Sequence, residues 1–178
     1  MSRVTVGSLA DGIAHIELDD PGRYNALSSA MVADLRDAFA TVKSDRTARV
    51  VVLSGAGKGF CSGAYLGGDE ELPADARDRG PVGLVQAMQD HLAELILAIH
   101  EPPQPVIAAV AGAAVGGGLA LALASDLRVA STDAFFGCQF IRVGLSSADV
   151  GTSYLLPRLV GPTMAAELML SGRRFDAT

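Results

Sequence analysis

Apolar and polar residues alternate, or nearly so, along residues 3–9 (RVTVGSL) and 12–18 (GIAHIEL), with Asp11-Gly12 between the two runs. Period-two alternation interrupted by Asp-Gly predicts two strands joined as a β-hairpin. DDPGRYNAL reads as a loop, and Ser28 or Ser29 is placed to cap a helix from Ala30 to about Lys43. Its apolar residues Met31, Leu35, Ala38, Phe39 and Val42 recur at helical spacing. Arg49–Leu53 is a continuous β-branched run, which predicts a strand buried on both faces. SGAGKGFCSGAYLGG then reads as a glycine-rich loop, and DEELPADARDRGP as a charged surface segment. From Val82 to His100 the pattern returns to helical, with Leu84, Met88, Leu92, Leu95 and Ile99 on one stripe and Pro102, Pro103 and Pro105 ending it.

The run from Val106 to Ser125 carries no charge and has three glycines, Gly116-Gly117-Gly118, inside it. β-Branched residues come first and Leu and Ala second. That order predicts a buried strand at Val106–Val110, a glycine turn, and a helix from about Gly117 to Ser125. A helix beginning at glycines presents unpaired N–H groups and the positive end of its dipole, with no Cβ to keep a ligand atom away. The run has the length of a membrane span, and Gly112 and Gly116 mimic a helix-dimer motif. Its internal glycines and the prolines at its entrance favour the strand–turn–helix, so no membrane span is expected. A strand at Asp126–Ala130, a loop or short strand at Ala134–Phe136, a helix before Pro157 and another at Pro162–Leu170 complete the pattern. Strands alternating with helices imply an α/β fold of βα units.

Composition narrows the function. The chain has 178 residues, 49% of them hydrophobic, which suits one domain with a sizeable core. A net charge of −6 argues against nucleic acid as a partner. Cys61 and Cys138 form no CxxC or zinc-type spacing. A disulfide framework and a metal are therefore not expected, and a reducing, cytoplasmic setting is. MSRVTVGSLADG has no apolar core of a signal sequence. Gly55–Gly59 (GAGKG) lacks the spacing of a P-loop and the third glycine of a dinucleotide fingerprint. Gly144–Ala148 approaches a nucleophile elbow, but no histidine follows it to complete a triad. His15 lies in a strand without an obvious partner. His91, beside the apolar stripe of its helix, either faces a pocket or marks the edge of a solvated face, and helical periodicity favours the edge.

The strongest constellation pairs the triple glycine with Gly59-Phe60-Cys61-Ser62-Gly63-Ala64. Both follow buried strands, and two parallel strands ending in such turns bring two backbone N–H groups to one point. That is a main-chain oxyanion hole, suited to a thioester whose carbonyl oxygen gains negative charge on enolisation. PGRYNALS, VVVLSGAGKGFCSGAYL, PVIAAVAGAAVGGGLALALASDLRVAS, AFFGCQFIRVGL and YLLPRLVG span nearly the whole chain. In order and spacing they resemble the enoyl-CoA hydratase/isomerase (crotonase) superfamily. The resemblance implies a crotonase-like (ClpP/crotonase) α/β fold of repeated ββα units, with no cofactor beyond the coenzyme A of an acyl-CoA substrate. It implies that Ala64 and Gly117 are the two donors. Arg23, Tyr24, Ala26, Ser62, Tyr65 and Leu66 would line the thioester channel, with Gly116, Ala120 and Phe140 beside them. Arg23 or Lys58 would meet a CoA phosphate, or else be solvated surface charges.

The departures matter as much. Where the family's hydratases carry two glutamates, this chain has Ala120 and Phe140, and neither moves a proton. A tyrosine, Tyr65, replaces the aspartate that commonly follows the oxyanion alanine. GLSSADVGT resembles the ADVGT segment of the dienoyl-CoA isomerase branch, with one residue of difference in spacing. That resemblance makes Asp149 a proton carrier for isomerisation, its pKa raised by burial near Phe136 and Phe140; the alternative role is a helix N-cap before VGTSYLL. Residues 1–178 would form the acyl-CoA-binding core without the family's usual C-terminal helices, in a homotrimer or hexamer. Two functions follow: an isomerase-like enzyme carried by Asp149, or a non-catalytic acyl-CoA-binding protein.

Overall fold

The computed structural model describes residues 3–67 and 80–177, apart from the side chains of Pro81 and Asp149. The charged segment expected at residues 69–81 falls almost wholly outside them. Strands β1 (Val4–Ala10) and β2 (Ile13–Leu18) form the expected antiparallel hairpin. Strict alternation on β2 buries Ala14, Ile16 and Leu18, while on β1 only Val4 is buried.

Helix α1 (Ser29–Ser44) begins where the sequence indicates, with Ser28 as the N-cap. The Ser28 hydroxyl accepts the Met31 N–H at 3.2 Å, satisfying one otherwise unpaired donor. Met31, Val32, Leu35, Ala38, Phe39 and Val42 form its buried face. Just beyond its C-terminus the buried Gln104 amide donates to the carbonyls of Val42, Asp45 and Ala48.

Strands β3 (Val50–Gly55), β5 (Val106–Val110) and β7 (Leu127–Ala130) extend the hairpin into a sheet of order β1-β2-β3-β5-β7, parallel from β2 onward. A second sheet, of order β4-β6-β8-β9, comprises β4 (Gly59–Cys61), β6 (Ala113–Val115), β8 (Phe135–Gly137) and an antiparallel β9 (Arg174–Asp176). The chain visits the sheets in turn. β3 and β4 lead to α2 (Gly80–His100), β5 and β6 to α3 (Gly117–Ala124), and β7 and β8 to the pair α4 (Thr152–Val160) and α5 (Pro162–Ser171). These are the expected ββα units.

Four details differ from the sequence reading. β4, β6 and β9 are three residues each, too short for alternation to mark them. β3 buries Val51 and Leu53 completely but leaves Val50 and Val52 half-buried, so only one face is fully covered. On its other face His15 does have a partner, because parallel pairing sets its imidazole 2.8 Å from the Ser54 hydroxyl. Pro157 does not end α4 but sits inside it, and Arg158 donates to the Tyr154 carbonyl in the same turn.

The uncharged run folds as β5, β6 and α3. All eight residues of α3 are buried, and full burial of a leucine contributes about 1.5–3 kcal/mol. Arg128 donates to the carbonyls of Ala122, Leu123 and Ser125, closing the C-terminal end. Val82–His100 of α2 has the length and mean hydropathy, 1.2, of a membrane helix by composition alone. Its stripe ends in Leu95 and Ile99, which join the core beneath α1 and α3.

Candidate functional site

β4 and β6 lie side by side and parallel, with Cys61 opposite Ala114. β4 runs on into Ser62-Gly63-Ala64 and β6 into Gly116-Gly117, so both turns leave the small sheet at the same end. The convergence expected of β3 and β5 is thus delivered by the short strands that follow them.

Leu27 fixes the direction of the first turn. Its N–H donates to the Gly63 carbonyl at 2.8 Å, and its carbonyl accepts the Tyr65 N–H at 3.2 Å. In such a parallel bridge the middle residue, Ala64, points its own N–H away from Leu27. Gly117 opens α3, so its N–H has no acceptor within the helix. Among the described residues neither N–H has a hydrogen-bond partner. The two backbones meet closely. A Cβ on Gly63, whose φ is +87°, would lie 3.1 Å from the Gly117 nitrogen and 2.7 Å from the Val115 carbonyl oxygen. A Cβ on Gly117 would lie 3.8 Å from the Ala64 nitrogen. Only glycine permits this approach without parting the two donors. Beneath them, a Cβ on Gly118 would collide with the Cys61 carbonyl oxygen, so the third glycine lets α3 rest on β4.

Ser62, Ala64, Tyr65, Leu66, Gly116, Gly117 and Phe140 all line one cavity of about 390 Å³. Met88 and Leu92 of α2 and Val143 and Leu145 complete largely apolar walls. Arg142 is the one charged side chain among its described walls, and its Nε donates to the Gly172 carbonyl at 2.9 Å. An apolar cavity with two main-chain donors at its edge can hold an acyl group and polarise a carbonyl oxygen.

Arg23, Tyr24 and Ala26 are not on this cavity; Arg23 and Tyr24 back its Ser62–Tyr65 wall, and Ala26 is buried, its N–H donating to the Arg23 carbonyl. The Ser62 N–H donates to the Tyr24 carbonyl at 3.0 Å, and the Arg23 guanidinium lies 4.7 Å from the centre of the Tyr65 ring. Lys58 is exposed. Ala120 is fully buried in the core below the cavity. Asp149 lies on the turn Asp149–Gly151, whose Val150 lines the cavity in a left-handed conformation with φ 45°. The Asp149 side chain is outside the described residues. The N-cap of α4 is Gly151, so Asp149 stands two residues before the capping position expected for it.

Sequence reasoning overlooked Asn25. It is fully buried, and its Nδ2 lies 2.9, 2.8 and 3.2 Å from the carbonyl oxygens of Ala56, Gly59 and Phe60, while its Oδ1 accepts the Asp20 N–H at 2.9 Å. One side chain thereby ties the loop before α1 to the loop entering β4. Its φ of 55° is a conformation that asparagine tolerates better than most residues, and this was the available signal in PGRYNALS. His91 is half-buried rather than solvated and faces Ala64 and Tyr65 across a small space. Burial pushes the Cys61 thiol up to about 12, so it is inert despite its place beneath the donors.

The family description Enoyl-CoA hydratase/isomerase matches residues 8–178. The chain belongs to the enoyl-CoA hydratase/isomerase family. It is 48% identical over 165 residues to a probable enoyl-CoA hydratase of Mycobacterium leprae, covering 93% of this chain and 56% of that protein. It is 35% identical over 174 residues to a peroxisomal Delta(3,5)-Delta(2,4)-dienoyl-CoA isomerase of Arabidopsis thaliana, covering 93% of this chain and 61% of that one. The crystal structure of a probable enoyl-CoA hydratase/isomerase from Mycobacterium abscessus superposes with a TM-score of 0.90 at 41% identity, over 99% of this chain and 65% of that chain. The chain therefore spans less than two thirds of the length of these relatives. With its paired sheets it has the crotonase fold.

Proposed function

We propose that this chain binds an acyl-CoA thioester, seats its carbonyl oxygen between the N–H groups of Ala64 and Gly117, and moves a double bond rather than adding water to it. The observation that carries this reading is the approach of those two unpartnered donors at the edge of the acyl-sized cavity. In that seat the thioester oxygen takes on negative charge as the acyl chain enolises. Removing one donor of such a pair costs about 10²–10³-fold in turnover. Coenzyme A is part of the substrate, and no separate cofactor is required. Its phosphates lie toward Arg23 and Lys58.

Ala120 and Phe140 supply no carboxylate, so the two-glutamate addition of water is not the chemistry proposed. Isomerisation needs only proton transfer between carbons, and Asp149, on the turn that carries Val150 to the cavity wall, is the proposed carrier. Full activity belongs to an assembled homotrimer or hexamer. Exposed apolar side chains on β7 and α5, such as Leu127, Val129 and Leu170, support that assembly.

A panel of 2-enoyl-, 3-enoyl- and 3,5-dienoyl-CoA thioesters, run beside a binding titration, tests the reading. Turnover of a 3-enoyl or 3,5-dienoyl thioester is expected. Asp149→Asn should lower it about 10²- to 10⁴-fold, while Asp149→Glu retains most of it. Tight binding without turnover of any member would overturn the enzymatic reading and leave a binding protein.

A further inference from the structure

Beyond β8 the cavity has a polar stretch of wall that polarising a thioester does not use. β8 pairs with β6 on the side away from β4, and the Gly116 N–H donates to the Gly137 carbonyl at 2.9 Å. The chain leaving β8 therefore starts beside the turn that presents Gly117. It forms a short 3₁₀ helix, Gln139–Val143. In such a helix side chains three positions apart eclipse, so Gln139 and Arg142 share a face, and both line the cavity. Each is seated by a glycine. The Arg142 Nε donates to the carbonyl of Gly172, the left-handed cap of α5 with φ +58°, where a Cβ would lie 2.7 Å from the Ile141 Cγ2. Gln139 lies against Gly137, on which a Cβ would stand 3.1 Å from the Gln139 Cγ. Among the described residues, neither the Nη groups of Arg142 nor the Gln139 amide has a hydrogen-bond partner, and no carboxylate lines the cavity.

We propose that Gln139 and Arg142 hold a carboxylate at the far end of the acyl chain, which makes the preferred ligands CoA thioesters of dicarboxylic acids. The inference rests on the reading of the cavity as a thioester site and names the class of acyl group it takes. A guanidinium offers a planar fork of donors to a carboxylate, and a neighbouring amide adds another N–H. The apolar walls accept the methylenes between the two ends. A methyl end would cover these donors without pairing them, and a site built to pair a polar group discriminates against the analogue that lacks it. The sheet order separates this anion from the phosphates of coenzyme A. Arg23 backs the wall at the end of β4, whereas Arg142 follows β8, two strand spacings or about 10 Å across the small sheet. The donors of Ala64 and Gly117 stand on β4 and β6, so the acyl chain has the β8 side to run along.

The test is calorimetric titration with length-matched pairs of saturated thioesters, glutaryl-CoA against pentanoyl-CoA and adipoyl-CoA against hexanoyl-CoA, with free CoA beside them. The unaltered protein should bind one dicarboxylic member about tenfold or more tightly than its methyl-ended match, as hydrogen bonds to a charged group allow. Arg142→Met should remove most of that preference and Gln139→Leu part of it, while Arg142→Lys, which keeps the charge, retains more than Arg142→Met. Equal affinity for both members of each pair in the unaltered protein overturns the proposal. So does a preference that survives in Arg142→Met. Equal weakening of both members and of free CoA in Arg142→Met assigns the guanidinium to the CoA phosphates and overturns it as well. Failure of every thioester to bind refutes the site reading, and this inference with it.

Discussion

At the scale of single residues, the account turns on atoms that are missing or buried. Gly63 lacks the Cβ that would press between Val115 and Gly117. Gly63→Ala should therefore spread the two donors and lower turnover about 10²- to 10³-fold, the cost of losing one oxyanion donor. Kinetics on a 3-enoyl thioester, with circular dichroism to confirm folding, checks this. Asn25→Ala abandons several buried carbonyls at once, and each buried group left unpaired costs about 1–3 kcal/mol. Its unfolding midpoint in urea should fall well below that of the unaltered protein. Cys61 gives a prediction in pH. Its thiol is held protonated up to about 12 in the fold against 9.0 ordinarily. Above about pH 9 the unfolded chain therefore binds fewer protons than the folded one, and stability declines from there toward pH 12. Cys61 should resist thiol reagents at pH 8 until denaturant is added. Gly63 and Ala64 were legible in the sequence as a small-residue turn. Asn25 was not, because three of its four partners lie more than thirty positions away and only the folded backbone gathers them.

At the scale of elements, legibility followed length. The hairpin, α1, β5 and α3 carry enough residues for their period to show, and the Ser28 cap was readable because capping depends on the next three residues alone. Ser28→Ala should cost about 1 kcal/mol, read as a shift in urea midpoint at unchanged slope. β4 and β6 were hidden, since three residues in a glycine-rich stretch have no period to detect. Yet they align the turns at Ala64 and Gly117, so the two glycine-rich turns were readable in the sequence and the strands that set them side by side were not. Where α1 meets the turn after α2, Lys43 and Glu101 pair at 2.8 Å on the exposed surface. The Lys43 ammonium holds the Glu101 carboxyl below its usual 4.5. A lowered carboxylate pKa contributes stability above about pH 4.5 that is lost as pH falls through the folded value. Screening makes the contribution small at moderate salt. An NMR titration of Glu101 in Lys43→Met should move its pKa back up toward 4.5.

At the scale of the whole molecule, the alternation of ββα units sends one strand of each pair to the large sheet and the next to the small one. Strands β4, β6 and β8 thus lead into the walls of the same cavity, which is how a site arises from turns far apart in sequence. The alternation of strands and helices was visible; the division into two sheets was not, because strand pairing depends on partners remote in sequence, such as Gly59 with Ala113 and Ala113 with Phe135. The same arrangement buries Ala120 in the core and puts Phe140 on the cavity wall, so both positions are apolar. Under the proposed function the chemistry falls on Asp149 and on the two amides.

Those amides are the central claim, and the carbonyl stretch of a bound, ¹³C-labelled 2-enoyl-CoA thioester reads them directly by difference infrared spectroscopy. The account predicts a shift to lower frequency on binding, smaller or absent in Gly63→Ala. A bound thioester whose carbonyl frequency matches that of the free ligand would contradict it.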